Sequence, residues 1–152
     1  MEAFRRFFLT MDVEELKRSL PVGYPYLLID RVVERGEGRV VTRKCVTVNE
    51  PYFQGHFRPP YPSIMPGTMI LEGMAQTAGL LLEEGKIAFL GAVERARFHR
   101  PVVPGDVLLF TAQVARRRGP VLRAEVRAEV DGKLAAEALL TLVVRDDVGE
   151  DR

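Results

Sequence analysis

The chain has 152 residues, enough for one domain, and 47% of them are apolar, an ordinary proportion for a globular core. Its 22 basic and 21 acidic side chains leave a formal charge of +1, which gives no footprint for nucleic acid, and no uncharged apolar stretch reaches the length of a membrane span. A single cysteine, Cys45, excludes an intramolecular disulfide and fits a reducing compartment; its place in a β-branched run predicts a small core residue.

The opening residues 1–10, MEAFRRFFLT, are basic and aromatic without the long apolar region of a secretory signal, and read as an N-terminal extension of a single domain spanning 1–152 or as an over-called start. Asp12 then suits the N-cap of a short helix, Val13–Ser19, with Glu14 and Glu15 in its first turn and Pro21 beyond its end. Tyr26–Glu34 and Arg39–Val48 read as a hairpin about a turn at Gly36 and Gly38. The segment from Asn49 to Gly67 holds Pro51, Pro59, Pro60, Pro62 and Pro66, and is a stiff loop of the kind on which sites are built.

Pro66 suits the first turn of a helix predicted to run to about Glu84 and stop at Gly85. Met69, Ile70, Leu71, Met74, Ala75, Ala78 and Leu80–Leu82 cover every face of it, so it should be buried all round. Four long β patterns follow, Ile87–Phe98, Asp106–Arg117, Val121–Val130 and Leu134–Val144, the last two joined by the hairpin signal Asp131-Gly132. The pattern predicts an α+β architecture, a long antiparallel β-sheet wrapped around a central buried helix, with a second copy covering what one sheet leaves open: a homodimer. One asparagine, ten prolines and 18 arginines against four lysines form a thermophile-like composition, although genome base composition explains the arginine excess equally well.

Two histidines and one cysteine provide no metal-ligand spacing. There is no glycine-rich phosphate loop, dinucleotide fingerprint or Gly-x-Ser-x-Gly elbow, which removes kinases, simple nicotinamide enzymes, zinc hydrolases and serine hydrolases. Glu72 is the one charged side chain of the apolar helix before Glu83. An apolar setting favours the neutral form of a carboxyl, which can act as a general acid. Gln76, four residues on, shares its face and can orient it; the plainer reading is a structural carboxylate bonded to Gln76 or a distant arginine. His56, in the stiff loop after Gln54-Gly55, suits a general base, against the plainer reading of a loop histidine bonded to backbone. His99, among Arg97, Arg100 and Pro101, reads as solvated. The helix start offers no capping side chain nearer than Ser63, so the N–H of Gly67 and its neighbours are free to hold a carbonyl oxygen that gains charge. Base, acid and oxyanion donor together suit removal of a proton α to a thioester carbonyl with expulsion of a β-hydroxyl.

The runs LPVGYPYLLIDRV (Leu20–Val32), VNEPYFQGHF (Val48–Phe57), IMPGTMILEGMAQTAG (Ile64–Gly79) and ARFHRPVVPGD (Ala96–Asp106) resemble the 3-hydroxyacyl-(acyl carrier protein) dehydratases of bacterial type II fatty acid synthesis, and the likeness extends from Met11 to Asp146. The resemblance implies the hotdog fold, with sites shared between two subunits so that His56 of one faces Glu72 of the other. It implies His56 and Glu72 as the catalytic pair, Gln76 as the helical glutamine and Gly67 as the amide facing the thioester carbonyl. It further implies conversion of a (3R)-hydroxyacyl thioester to a trans-2-enoyl thioester without cofactor or metal, in a cytoplasmic enzyme that often assembles three dimers into a hexamer. The acyl chain would run in a tunnel lined by Ile64, Met69 and Phe98, with Phe57 and Tyr61 also on the substrate's path. Arg95, Arg97 and Arg100 are candidates for meeting an acidic carrier protein. Two features depart from the family pattern. Val22 and Gly23 stand where the family has His and Arg, and the loop Arg58–Ser63 is about two residues longer, which bears on substrate length and makes Tyr61 either a lid or a packing residue. Glutamate rather than aspartate at position 72 argues against double-bond isomerisation. Two other readings stand beside this one: a hotdog thioesterase whose helical carboxylate activates water, and a non-catalytic acyl-thioester-binding module.

Overall fold

The computed structural model describes residues 10–147. The proposed N-terminal extension, apart from Thr10, lies outside the described residues. Helix α1 (Val13–Ser19) begins at Asp12, whose carboxylate accepts from the N–H of Glu14 and Glu15, while Glu15 accepts from the Asp12 N–H at 2.9 Å. This reciprocal capping box satisfies donors that a seven-residue helix would otherwise leave open.

Six strands form one antiparallel sheet: β1 (Arg31–Gly36), β2 (Arg39–Cys45), β3 (Lys86–Phe98), β4 (Val107–Arg118), β5 (Val121–Val130) and β6 (Lys133–Asp146), in the spatial order β1-β2-β4-β5-β6-β3. The hairpin between β5 and β6 turns on Asp131 and Gly132, both at positive φ (50° and 73°), as the Asp-Gly signal predicts. The first strand starts later than the sequence pattern suggests. Residues 23–27 instead make a turn in which the N–H groups of Tyr26 and Leu27 both bond the Gly23 carbonyl, at 2.7 and 3.0 Å.

Helix α2 (Gly67–Gly79) lies against the sheet and is shorter than expected. Leu80, Leu81 and Leu82 bond the carbonyls three residues back, a tightened final turn that leaves the helix before the predicted end at Glu84. The close seat of α2 depends on Gly73. A Cβ there would come within 2.7 Å of Phe110 Cε2, a fully buried ring on β4. Thr42 on β2 and Thr77 on α2 share a buried hydroxyl contact of 2.7 Å, and Thr77 also donates to the Gly73 carbonyl. Around this seam pack Met65, Ile70, Met74, Val102, Leu108, Phe110, Leu122 and Leu140. A smaller cluster of Leu16, Leu20, Ile29, Val32, Val40 and Leu80 fastens α1 to the β1 side.

Within one chain the sheet covers α2 only in part, as one sheet cannot enclose a cylinder: Ile70, Gly73, Met74, Gln76, Thr77 and Ala78 are buried, whereas Met69, Leu71, Glu72, Ala75 and Gly79 are only partly covered. One expectation needs correction. Cys45 is not a core residue; it is exposed, because the alternation of β2 sends Val40, Thr42 and Lys44 to one face and Arg43 and Cys45 to the other.

Candidate active site

His56 is delivered by a short 3-10 turn, Pro51–Gln54, and by Gly55. Its backbone N–H donates to the Tyr52 carbonyl at 2.9 Å. Its Nδ1 lies 2.7 Å from the Ile64 carbonyl oxygen. A carbonyl only accepts, so Nδ1 carries the proton and the neutral ring's lone pair is on Nε2, for which no hydrogen-bond partner occurs among the described residues. The loop therefore presents an imidazole in the tautomer suited to accepting a proton. Beside it, Phe57 takes φ +52°, and its ring meets the imidazole edge-on at 4.4 Å.

The turn that carries His56 has a buried anchor. Lys44 and Glu50 form an ion pair at 2.8 Å with side chains only 5% and 16% exposed. The Tyr52 hydroxyl, buried without a hydrogen-bond partner among the described residues, is pushed above the ordinary phenol range by burial first, and then by Glu50 and Asp30. Sequence reasoning overlooked this anchor, although parity was a signal for it: Lys44 falls on the same face of β2 as Val40 and Thr42.

Glu72 sits mid-way along α2, half-buried, and its Oε1 accepts from Gln76 Nε2 at 2.9 Å. Gln76 is fixed in turn. Its Oε1 accepts from the Leu28 N–H at 2.9 Å, and its Nε2 also donates to the Tyr26 carbonyl. All the polar atoms of this buried amide are used, so its orientation, and with it that of Glu72, is set by backbone about fifty residues away. Glu72 lines a cleft of about 260 Å³ together with Pro21, Val22, Ala75, Phe89 and Leu90, among others. Val22, one of the two departures from the family pattern, thus forms part of the wall beside Glu72.

A second concavity gathers Ile64, Gly67, Phe98, Arg100 and Val102. Pro66 caps α2 with no side-chain bond, and the first helical turn begins with the amides of Gly67 and Thr68. Phe98 packs closely on Gly67: a Cβ there would be 3.1 Å from its ring, so a larger residue would press the ring aside. Met69 is half-buried at the margin of the main core, with Tyr52 and Phe53. Phe57 and Tyr61 line a shallow surface hollow with Gly55, Arg58 and Pro59.

The chain thus brings His56 and Gly67 to one region, bridged by Ile64, and turns Glu72 and Gln76 toward another. Among the described residues no hydrogen bond joins His56 to Glu72, and His56 does not line the Glu72 cleft. The three arginines are also divided. Arg95 and Arg97 line a groove on the sheet with Glu125, Arg127 and Glu137, while Arg100 belongs to the Gly67 concavity. Arg95 and Arg97 lie within β3, whereas Arg100 follows the strand's end at Phe98. His99 is exposed, 3.4 Å from Glu137. No three His, Cys, Asp or Glu side chains converge as metal ligands among the described residues, and no described helix is long and apolar enough to cross a membrane.

The model of the FabA-like domain matches residues 20–139. The 3-hydroxyacyl-(acyl-carrier-protein) dehydratase FabZ of Streptococcus pneumoniae strain CGSP14 is 48% identical over 139 residues, covering 88% of this chain and 98% of that protein. Among solved structures, a dehydratase heterocomplex from Xenorhabdus doucetiae superposes with a TM-score of 0.70 at 16% identity, over 86% of this chain and 91% of that one. A thioesterase from Haemophilus influenzae superposes with a TM-score of 0.66 at 18% identity, over 97% of this chain and 99% of that one. At such identities the two structures speak for the fold alone.

Proposed function

Because the chain belongs to the FabA-like family, with FabZ dehydratases as close relatives over most of its length, we propose that it removes water from 3-hydroxyacyl thioesters of acyl carrier protein in fatty acid biosynthesis, with His56 as base and Glu72 as acid. The observation that carries this reading is the His56 tautomer, held by the Ile64 carbonyl with Nε2 left to accept a proton. Nε2 takes the proton from Cα of a (3R)-hydroxyacyl thioester. Charge developing on the thioester oxygen is met by the Gly67 amide at the positive end of α2. Glu72 gives its proton to the departing β-hydroxyl, and the products are a trans-2-enoyl thioester and water. Each residue returns to its starting state once the proton passes from His56 to Glu72, directly or through water. No metal or organic cofactor takes part.

The site is shared between two copies. His56 and Gly67 occupy one region of the chain and Glu72 opens elsewhere, beside the outer strand β3. Among the described residues that strand pairs with β6 alone, and it exposes Phe89 (60%), Leu90 (48%), Val93 and Phe98. A second β3 pairing along this edge would cover the partly open side of α2 and supply the missing half of the site. Further assembly of three dimers into a hexamer is the family's habit. Arg100, beside the Gly67 concavity, is better placed to meet an acidic carrier than Arg95 or Arg97, which have acidic neighbours.

The test follows enoyl-thioester absorbance and free thiol together after adding a 3-hydroxyacyl thioester. Enoyl product without thiol, reduced at least ~10²-fold in His56→Ala and in Glu72→Gln, is the expected result. Thiol release without enoyl product would make the chain a thioesterase. Bound thioester with neither product would make it a binding module.

A further inference from the structure

We propose that Tyr61, in the lengthened loop Arg58–Ser63, is a positioning residue for His56, acting through the Phe57 ring; this rests on the reading of His56 as the base. The loop is closed at its two ends by the base itself. His56 begins it, and the His56 Nδ1 proton bonds the Ile64 carbonyl that ends it, at 2.7 Å. Whatever fixes the shape of residues 57–63 therefore fixes the ring's tautomer and aim. Three rings run outward from that bond: the imidazole, Phe57 at 4.4 Å and 77°, then Tyr61 at 6.2 Å from Phe57 and 70°. Phe57 is held at φ +52°, a left-handed conformation that a bulky residue adopts only when its surroundings impose it. The ring contacts that hold it there are those with His56 and Tyr61.

Tyr61 is well set to impose it. Pro59, Pro60 and Pro62 stiffen the backbone on both sides of it, and its N–H closes a turn onto the Arg58 carbonyl at 3.2 Å. The side chain is 65% exposed, and its hydroxyl bonds no protein group among the described residues. The ring, rather than the hydroxyl, is what the fold uses. Removing it frees Phe57 to relax, and the imidazole loses its outer support while Gly67, Glu72 and Gln76 stay in place.

The chain contains two histidines, so ¹⁵N-histidine labelling of the full-length protein gives a readout independent of turnover, with His99→Gln assigning the pair. The expected result for Tyr61→Ala is a broadened or lost Nδ1–H resonance of His56, kcat lowered about tenfold and KM changed by less than about twofold, since misplacing a catalytic group acts on the chemical step. Tyr61→Phe restores both signals, and Tyr24→Ala, an exposed tyrosine elsewhere, alters neither. An unchanged resonance, an effect on KM alone, or a Tyr61→Phe variant as impaired as Tyr61→Ala would each overturn the proposal. If the wild-type protein forms no enoyl product, the reading of the activity fails, while the resonance comparison still decides the positioning role.

Discussion

The two edges of the sheet face the same physical problem and solve it differently. On one edge, β1 is six residues long and finished by the chain itself: Met11 exchanges backbone hydrogen bonds with Val32, at 3.2 and 3.0 Å, and α1 packs against the same side. Arg31, Glu34 and Arg35 add charge to it, a usual guard against further pairing. On the other edge, β3 runs thirteen residues, pairs among the described residues with β6 alone, and exposes Phe89, Leu90 and Val93, with exposed charge at Glu94, Arg95 and Arg97 further on. A guarded edge together with a longer, open one with exposed apolar side chains is the arrangement that the proposed pairing of two copies requires. Phe89 and Leu90 make the difference functional, because they also line the Glu72 cleft.

The most damaging way to break the contrast is a charge on the open edge. Leu90→Lys should convert the assembly to monomers in sedimentation and reduce dehydration by more than ~10²-fold, the loss expected when one member of an acid–base pair is absent. Its circular dichroism should be unchanged, since Leu90 is surface-exposed in the isolated chain. A fully active monomer would end the idea of a shared site. Next in size is a mixing experiment. His56→Ala and Glu72→Gln are each inactive alone, but random exchange of their subunits places one intact site in every mixed dimer. Activity should recover to about a quarter of wild type, since about half the dimers are mixed and each holds one working site of two. No recovery after verified subunit exchange would place both residues of a site in one chain.

How far the sequence foretold these regions depended on the distance over which each feature is determined. Local ones were legible: the Asp12 cap, the Asp131-Gly132 turn, and the Glu72–Gln76 pair four residues apart on one helical face. What fixes Gln76 was not, because the Leu28 N–H and the Tyr26 carbonyl reach it only through tertiary folding. The value of Val22 was hidden for the same reason, as nothing nearby in sequence says that it walls the Glu72 cleft. Helix α2 was read too long because the apolar run Leu80–Leu82 continues the pattern while its hydrogen bonds tighten to three-residue spacing. Cys45 was misplaced by composition although strand parity had the answer. The split of the three arginines was not legible, because Arg95 and Arg97 lie on β3 while Arg100 follows the strand's end at Phe98.

A smaller effect should come from stripping the guarded edge. Leu16 is fully buried between α1 and the β1 side, touching the cluster of Ile29, Val32, Val40 and Leu80. Leu16→Ala should lower stability by about 2–5 kcal/mol, read as a fall in denaturation midpoint, because a cavity opens where the helix meets the sheet. Catalysis per folded molecule should persist, since Leu16 itself does not line the Glu72 cleft. A variant as stable as wild type would show that α1 is an ornament rather than a cover.

The least effect belongs to Glu34 on β1, which pairs with Arg39 across the hairpin with both side chains over a third exposed. Partly solvated pairs contribute about 0–1 kcal/mol. Glu34→Gln should therefore shift the unfolding midpoint slightly and leave both the sedimentation coefficient and the enoyl-forming rate as they are. The comparison sharpens on this null result. One neutralised charge at the β1 edge should leave assembly alone because Met11 still bonds Val32 there, whereas on the proposed pairing one added charge at the β3 edge should separate the two copies. If Glu34→Gln produced larger assemblies, the charge rather than the Met11 bridge would be what closes that edge.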